Sequence, residues 1–157
     1  MKNAVTLFKL LSDESRVRIL MLLSKRELCV CQLMGVLGIS QPLVSRNLSL
    51  LSAAGLLTER KEGKLAFYGL NKKTPGIART ILKVVSRELQ RDETFLRDLQ
   101  SLSDCTEFQK KTGKCDMKTF LAFMKEQRNK RGSGKRQGKT LLPRSGRRPR
   151  IKRGNRE

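Results

Sequence analysis

Histidine and tryptophan are missing from the sequence, tyrosine occurs once, and acidic residues number 14 against 35 lysines and arginines. Without histidine the chain has neither the commonest general base nor the imidazole ligands of most zinc sites. No nucleophile stands beside a base and no glycine-rich phosphate loop follows a strand, so the chain does not read as an enzyme. The acidic pair Asp13 and Glu14 suits a helix start instead. No apolar run approaches the length that spans a bilayer. The first residues, MKNAVTLFKLLSDESR, lack the unbroken apolar core and small-residue cleavage site of a signal peptide, which points to the cytoplasm.

What the chain has in abundance is positive charge, +21 in 157 residues. From Arg128 to Glu157 there are 13 basic residues and one acid, net +12, and residues 1–127 carry the remaining +9. A field of this sign attracts polyanions, nucleic acid above all. An anionic membrane surface is the rival, but the basic tail shows no amphipathic helix with large apolar residues.

The chain divides into three parts. Residues 3–102 read as a compact domain, mainly α with a small β-hairpin. Val5, Phe8 and Leu11 recur at helical spacing. Ser12 is a candidate N-cap for a second helix, and Cys29 to Leu37 fits a third, stopped by Gly38. Ser40 is placed to cap a fourth, with Pro42 in its first turn and Gly55 at its end. LLTERKEGKLAFYGL then reads as a hairpin turning at Gly63 with a basic tip. From Pro75 to Leu102 the apolar residues keep the phase of one long helix with an apolar side, a candidate dimer element. Residues 103–128 form a cysteine-containing extension with a short helix near Met117 to Arg128. Residues 129–157, rich in Gly, Arg and Lys, have the composition of a disordered tail.

Helix, Gly-Ile-Ser turn, helix and hairpin is the order of a winged helix-turn-helix. In SQPLVSRNLSLLSAAG, Val44, Leu48 and Leu51 share one face and would anchor the helix in the domain. Gln41, Ser45, Arg46 and Ser49 fall mainly away from it and could enter a major groove, with Arg46 near a guanine edge or phosphate and Gln41 near an adenine. Asn47 is a further candidate on the same helix. Arg60, Lys61 and Lys64 at the hairpin would contact the DNA backbone and position the helix without reading sequence.

Four cysteines remain, at 29, 31, 105 and 115. A reducing cytoplasm keeps them as thiols. Cys29 and Cys31, in ELCVCQL, are either small buried hydrophobes or metal ligands. On a regular helix, residues two apart point about 200° apart. One ion could join them only if the start of the third helix unwinds, which would disturb the helix that follows.

Taken together, FKLLSDESRVRILMLL, ELCVCQL and SQPLVSRNLSLLSAAGLLTERKEGKLAFYGL resemble the ArsR/SmtB family of metal-responsive repressors, its arsenic-sensing branch most of all. The resemblance covers roughly residues 3–100. It implies a winged-helix homodimer, held by the first and last helices of the domain, that leaves its double-stranded operator when a soft metal or metalloid binds. It implies thiolate ligands at Cys29 and Cys31. The arsenic branch often adds a third cysteine where this chain has Met34, and recognition helices of the family often carry basic or imidazole groups where it has Leu43 and Asn47. The family's other sensor site, built from Asp and His on the last helix, is excluded by the lack of histidine. Cys105 and Cys115, from the same or the partner chain, are the thiols left to complete a site. Three thiolates suit As(III) or Sb(III), and four suit Cd(II), Pb(II) or Zn(II). Two alternatives stand beside this reading: a thiol redox sensor using Cys105 and Cys115, and a nucleic-acid binder that senses nothing.

Overall fold

A computed structural model describes residues 2–74 and 76–112, and beyond them 119, 121–123, 125, 126 and 129. In chain order the elements are α1 (Lys2–Leu11), α2 (Glu14–Leu23), β1 (Leu28–Cys29), α3 (Val30–Leu37), α4 (Gln41–Ala53), β2 (Leu57–Glu62), β3 (Leu65–Leu70), α5 (Gly76–Glu88), a 3-10 turn (Leu89–Arg91) and α6 (Glu93–Thr112). The architecture is a winged helix-turn-helix, mostly helical with one small antiparallel sheet.

Short-range signals set most element ends. Asp13, not Ser12, caps α2: its Oδ1 accepts from the Arg16 backbone N–H at 3.0 Å. The Ser12 hydroxyl instead donates to the Lys9 carbonyl at 2.8 Å, closing the end of α1. Gly38, at φ 69°, ends α3 in the left-handed region. Ser40 occupies the N-cap of α4, though its side chain makes no capping hydrogen bond, and Pro42 lies in the first turn. Gly63, at φ 58°, turns the hairpin between Glu62 and Leu65, where a two-residue connection needs a positive φ.

The sheet has a third strand that the hairpin pattern does not reveal. β1 pairs antiparallel with β3, Leu28 opposite Tyr68 and Cys29 opposite Phe67, giving the order β1-β3-β2. Cys29 is therefore not the first residue of α3. It is an extended N-cap residue at φ −86°, ψ 166°.

The core lies between α2, α3, α4 and the sheet, where Ile19, Leu22, Leu33, Val44, Leu48 and Leu51 are at most 1% exposed. Burying each such side chain stabilises by about 1.5–3 kcal/mol, which is what holds α4 on the domain.

The single long helix expected from Pro75 to Leu102 is two helices. Asp92 takes an extended ψ of 133°, and its Oδ1 accepts from the N–H groups of Thr94 and Phe95 at 2.9 and 3.0 Å, starting α6 afresh. α5 packs on α1, whereas α6 folds back over α2 and α3. α6 runs unbroken across residues 102 and 103, with Leu102 in the main core. Of the helix expected near 117–128, Thr119, Leu121, Ala122, Phe123, Lys125 and Glu126 are helical. Its other residues, with Cys115 and the basic tail from residue 130, lie outside the described residues.

Candidate functional site

Three of the four cysteines meet. Cys29, Cys31 and Cys105 form one buried cluster with Phe123, and Phe67 and Phe108 pack against it. The three thiols are 1%, 7% and 0% exposed. Phe108 and Phe123 close one side, their ring centroids 5.5 Å apart and tilted by 50°. β1 pairing with β3 holds Cys29, the first turn of α3 holds Cys31, and α6 brings Cys105. No disulfide joins these three residues. Met34, which stands where a third nearby cysteine could be, is buried in the main core.

A polar frame fixes this arrangement. Gln32 Oε1 accepts from the Cys29 backbone N–H at 3.1 Å, in the manner of a capping box. Its Nε2 donates to Gln109 Oε1 on α6 at 2.9 Å. One side chain thus joins the N-cap of α3 to the helix that carries Cys105. Two further ties fasten α6: Arg26 donates to the Thr106 hydroxyl, and Arg18 donates to both oxygens of Asp98. The Asp98 hydrogen bonds hold the Arg18 guanidinium above its ordinary pKa, against the lowering effect of burial.

The donor set is soft and free of imidazole, as thiophilic ligands prefer. Among the described residues, no three His, Cys, Asp or Glu side chains already stand in a metal-holding arrangement. Contrary to the expectation from a regular helix, α3 need not unwind for one ion to join Cys29 and Cys31, because Cys29 lies outside it.

The candidate nucleic-acid face is separate. Gln41, Ser45, Arg46 and Ser49 are exposed along α4, while Val44, Leu48 and Leu51 are buried. Asn47 is a correction: it is 3% exposed and turned into the domain, so it does not share that face. Among the described residues its Nδ2 finds no hydrogen-bond partner. Lys61 and Lys64 are exposed near the hairpin end. Arg60 is exposed but engaged, 2.7 Å from Glu62 and 3.0 Å from Glu27, and those two carboxylates raise its pKa.

Gln32 and Gln109, which frame the site, and Phe108, which packs against it, do not stand out in the sequence as site residues; Glu27 lies outside it, toward the hairpin, and Phe67 packs against it from the hairpin strand β3. Gln32 alone had a local signal, a Gln three residues after an N-cap position.

Residues 13–59 match the family model described as bacterial regulatory protein, arsR family. Over 97 residues the chain is 43% identical to the arsenical resistance operon repressor of Escherichia coli (strain K12), covering 60% of this chain and 83% of that protein. The chain belongs to the ArsR family. This ArsR-family transcriptional repressor is also 44% identical over 70 residues to the cadmium resistance transcriptional regulatory protein CadC homolog of Staphylococcus aureus, covering 44% of this chain and 58% of that protein. Among solved structures it is similar to reduced HlyU from Vibrio cholerae N16961, with 31% identity and a TM-score of 0.51 over 57% of this chain and 92% of that one. The ArsR model ends at Glu59, within β2. It takes in Cys29, Cys31 and all of α4, but not the helix that carries Cys105.

Proposed function

We propose that this ArsR-family protein is a homodimeric repressor that releases double-stranded operator DNA when trivalent arsenic or antimony binds the thiolates of Cys29, Cys31 and Cys105. The observation that carries this reading is the convergence of those three thiols in one buried cluster at the start of α3. Bound there, a trivalent centre would form bonds to as many as three sulfurs. The helix-turn-helix begins one residue from Cys29, so a shift of α3 is passed to α4. Gln41, Ser45, Arg46 and Ser49 on α4 are the candidate base and phosphate contacts, with Lys61 and Lys64 beside them.

Dimerisation is supported by an apolar surface on the two helices that pack together. Val5 and Phe8 on α1, and Ile77 and Val84 on α5, are all more than half exposed. A second copy would cover them. Among the described residues no helix is long and apolar enough to cross a membrane, and the thiols suit a reducing cytoplasm.

A cadmium or lead sensor is the second reading. It is favoured by the cadmium-resistance relative, and it would need a fourth thiolate, for which Cys115 is the remaining candidate. The test is fluorescence anisotropy of reduced protein on its own upstream DNA, titrated with arsenite and then with cadmium. Wild type is compared with the Cys29→Ser/Cys31→Ser double variant, Cys105→Ser and Cys115→Ser. Arsenite should release wild type and Cys115→Ser but not the double variant, with Cys105→Ser needing more ligand. Release by cadmium alone, lost in Cys115→Ser, would favour the second reading. No release by either ion rejects both.

A further inference from the structure

The wing and the thiol cluster share a row of residues. In the sheet, Cys29 on β1 lies opposite Phe67 on β3, and Phe67 lies opposite Arg60 on β2. Residues directly opposite each other in antiparallel strands put their side chains on one face. Phe67 packs against the cluster that holds the thiols, and the Arg60 guanidinium sits 5.1 Å from the centre of the Phe67 ring. A second path runs beside the first. Arg60 Nε is 3.0 Å from Glu27 Oε2, and Glu27 precedes Cys29 by two residues. Glu27 lies close against β3: a Cβ on Gly69 would come within 3.1 Å of its Cγ. Arg60 also reaches outward along the wing to Glu62 at 2.7 Å.

We propose that Arg60 is a positioning residue that transmits the state of the Cys29 site to the β2–β3 wing through Phe67 and Glu27. This rests on the thiol-sensing reading above and adds to it a second output besides α4. A ligand that draws the Cys29 sulfur toward Cys31 and Cys105 displaces the Phe67 ring and the Glu27 backbone together. Arg60, held by the Phe67 ring and the Glu27 carboxylate, follows them. Each of its ties is weak at an exposed position, so it can exchange partners without unfolding the strand. Lys61 is next to it in β2, and Lys64 lies in the turn, so the cations that would face the DNA backbone move with it.

The test separates ligand capture from DNA release. Glu27→Gln removes the charge that holds Arg60, and Phe67→Leu keeps apolar packing but removes the aromatic face. Arsenite binding is measured by calorimetry, and operator affinity with and without arsenite by anisotropy. In both variants arsenite should still bind, while the ratio of the two operator dissociation constants falls about tenfold, within the usual range of allosteric coupling. A wild-type ratio in both variants overturns the proposal.

The reverse direction needs no inducer, because coupling is reciprocal. Operator DNA should slow iodoacetamide alkylation of Cys29, read by peptide mass spectrometry, in wild type but not in Glu27→Gln. If wild type ignores arsenite and cadmium, the ligand reading fails and this second arm alone decides the proposal. Equal protection in the two proteins, or none in wild type, overturns it.

Discussion

Arg18 grips Asp98 with two hydrogen bonds, Nε to one carboxylate oxygen at 2.8 Å and Nη2 to the other at 2.6 Å. The pair joins α2, inside the helix-turn-helix domain, to α6, which carries Cys105. The Asp98 side chain is 4% exposed and that of Arg18 is 23% exposed. Removing Arg18 therefore strands a buried carboxylate, whereas removing Asp98 leaves a cation that water still reaches. Arg18→Ala should cost about 3 kcal/mol and Asp98→Ala about 1–2 kcal/mol, read from urea unfolding. The raised Arg18 pKa adds stability that is complete below the unfolded value and is lost only as pH rises through the higher folded one. Between pH 5 and 9 this group should contribute no slope.

Arg46 and Asn47 are neighbours with opposite fates, one exposed on α4 and one buried. Arg46→Ala should lower operator affinity by about 1–3 kcal/mol. Asn47→Leu should leave operator affinity nearly unchanged. It also removes a buried amide nitrogen that lacks a partner among the described residues, so stability should rise by up to about 1 kcal/mol. Loss of operator recognition in Asn47→Leu with an intact fold would falsify the assignment of Asn47 to the interior.

Cys105 is fully buried beside Phe108 and Phe123. Cys105→Ser places a hydroxyl in that apolar shell and should cost about 1–3 kcal/mol. Cys105→Ala avoids the hydroxyl. If the sulfur is a ligand, both variants should lose arsenite affinity to a similar extent while differing in thermal stability. Arsenite affinity that tracks stability alone would make Cys105 a packing residue.

Tyr68 is the sole tyrosine, so its ionisation can be followed by absorbance without interference. Burial chiefly, and then the Glu59 carboxylate across the sheet, push its phenol above the ordinary value of about 10. A raised folded pKa means the protonated form is favoured in the native state. That contribution is whole below about pH 10 and is lost as pH climbs through the folded value. The tyrosinate band should rise at higher pH in native protein than in urea. Coincident midpoints would place Tyr68 in open solvent.

The tail from Arg128 onward carries net +12. Removing residues 130–157 should weaken binding to all DNA and flatten the dependence of log K on log salt, leaving operator preference intact. An unchanged slope would show that the tail touches no phosphate.

Much of the DNA-binding half was legible because its signals are local. The spacing of Val44, Leu48 and Leu51 needs only the helical period to define a buried face. Gly38, Gly55 and Gly63 sit where positive φ is required, and Pro42 sits where a missing N–H costs nothing. Asn47 shows the limit of that reading: at the border of the apolar stripe, the neighbouring elements decide whether a side chain is covered.

The thiol site was only half legible. Cys29 and Cys31 stand out as a pair, but a two-residue strand is too short to show any alternation, so Cys29 read as helix. Cys105 could be placed only by the fold. Its position depends on the break at Asp92, which the apolar periodicity crosses without a change of phase. The cap that makes the break was visible as Asp92 and Glu93, yet nothing local says that α6 then turns back onto α3. That choice follows from where Phe95, Leu102 and Cys105 find apolar surface to cover, and from Asp98 finding Arg18. Local patterns alone suffice for the family, the helix-turn-helix and the supply of thiols without imidazole. Which thiols meet, and which residues lie between them and the wing, emerges only from the folded chain, because those contacts join segments whose local patterns carry no information about each other.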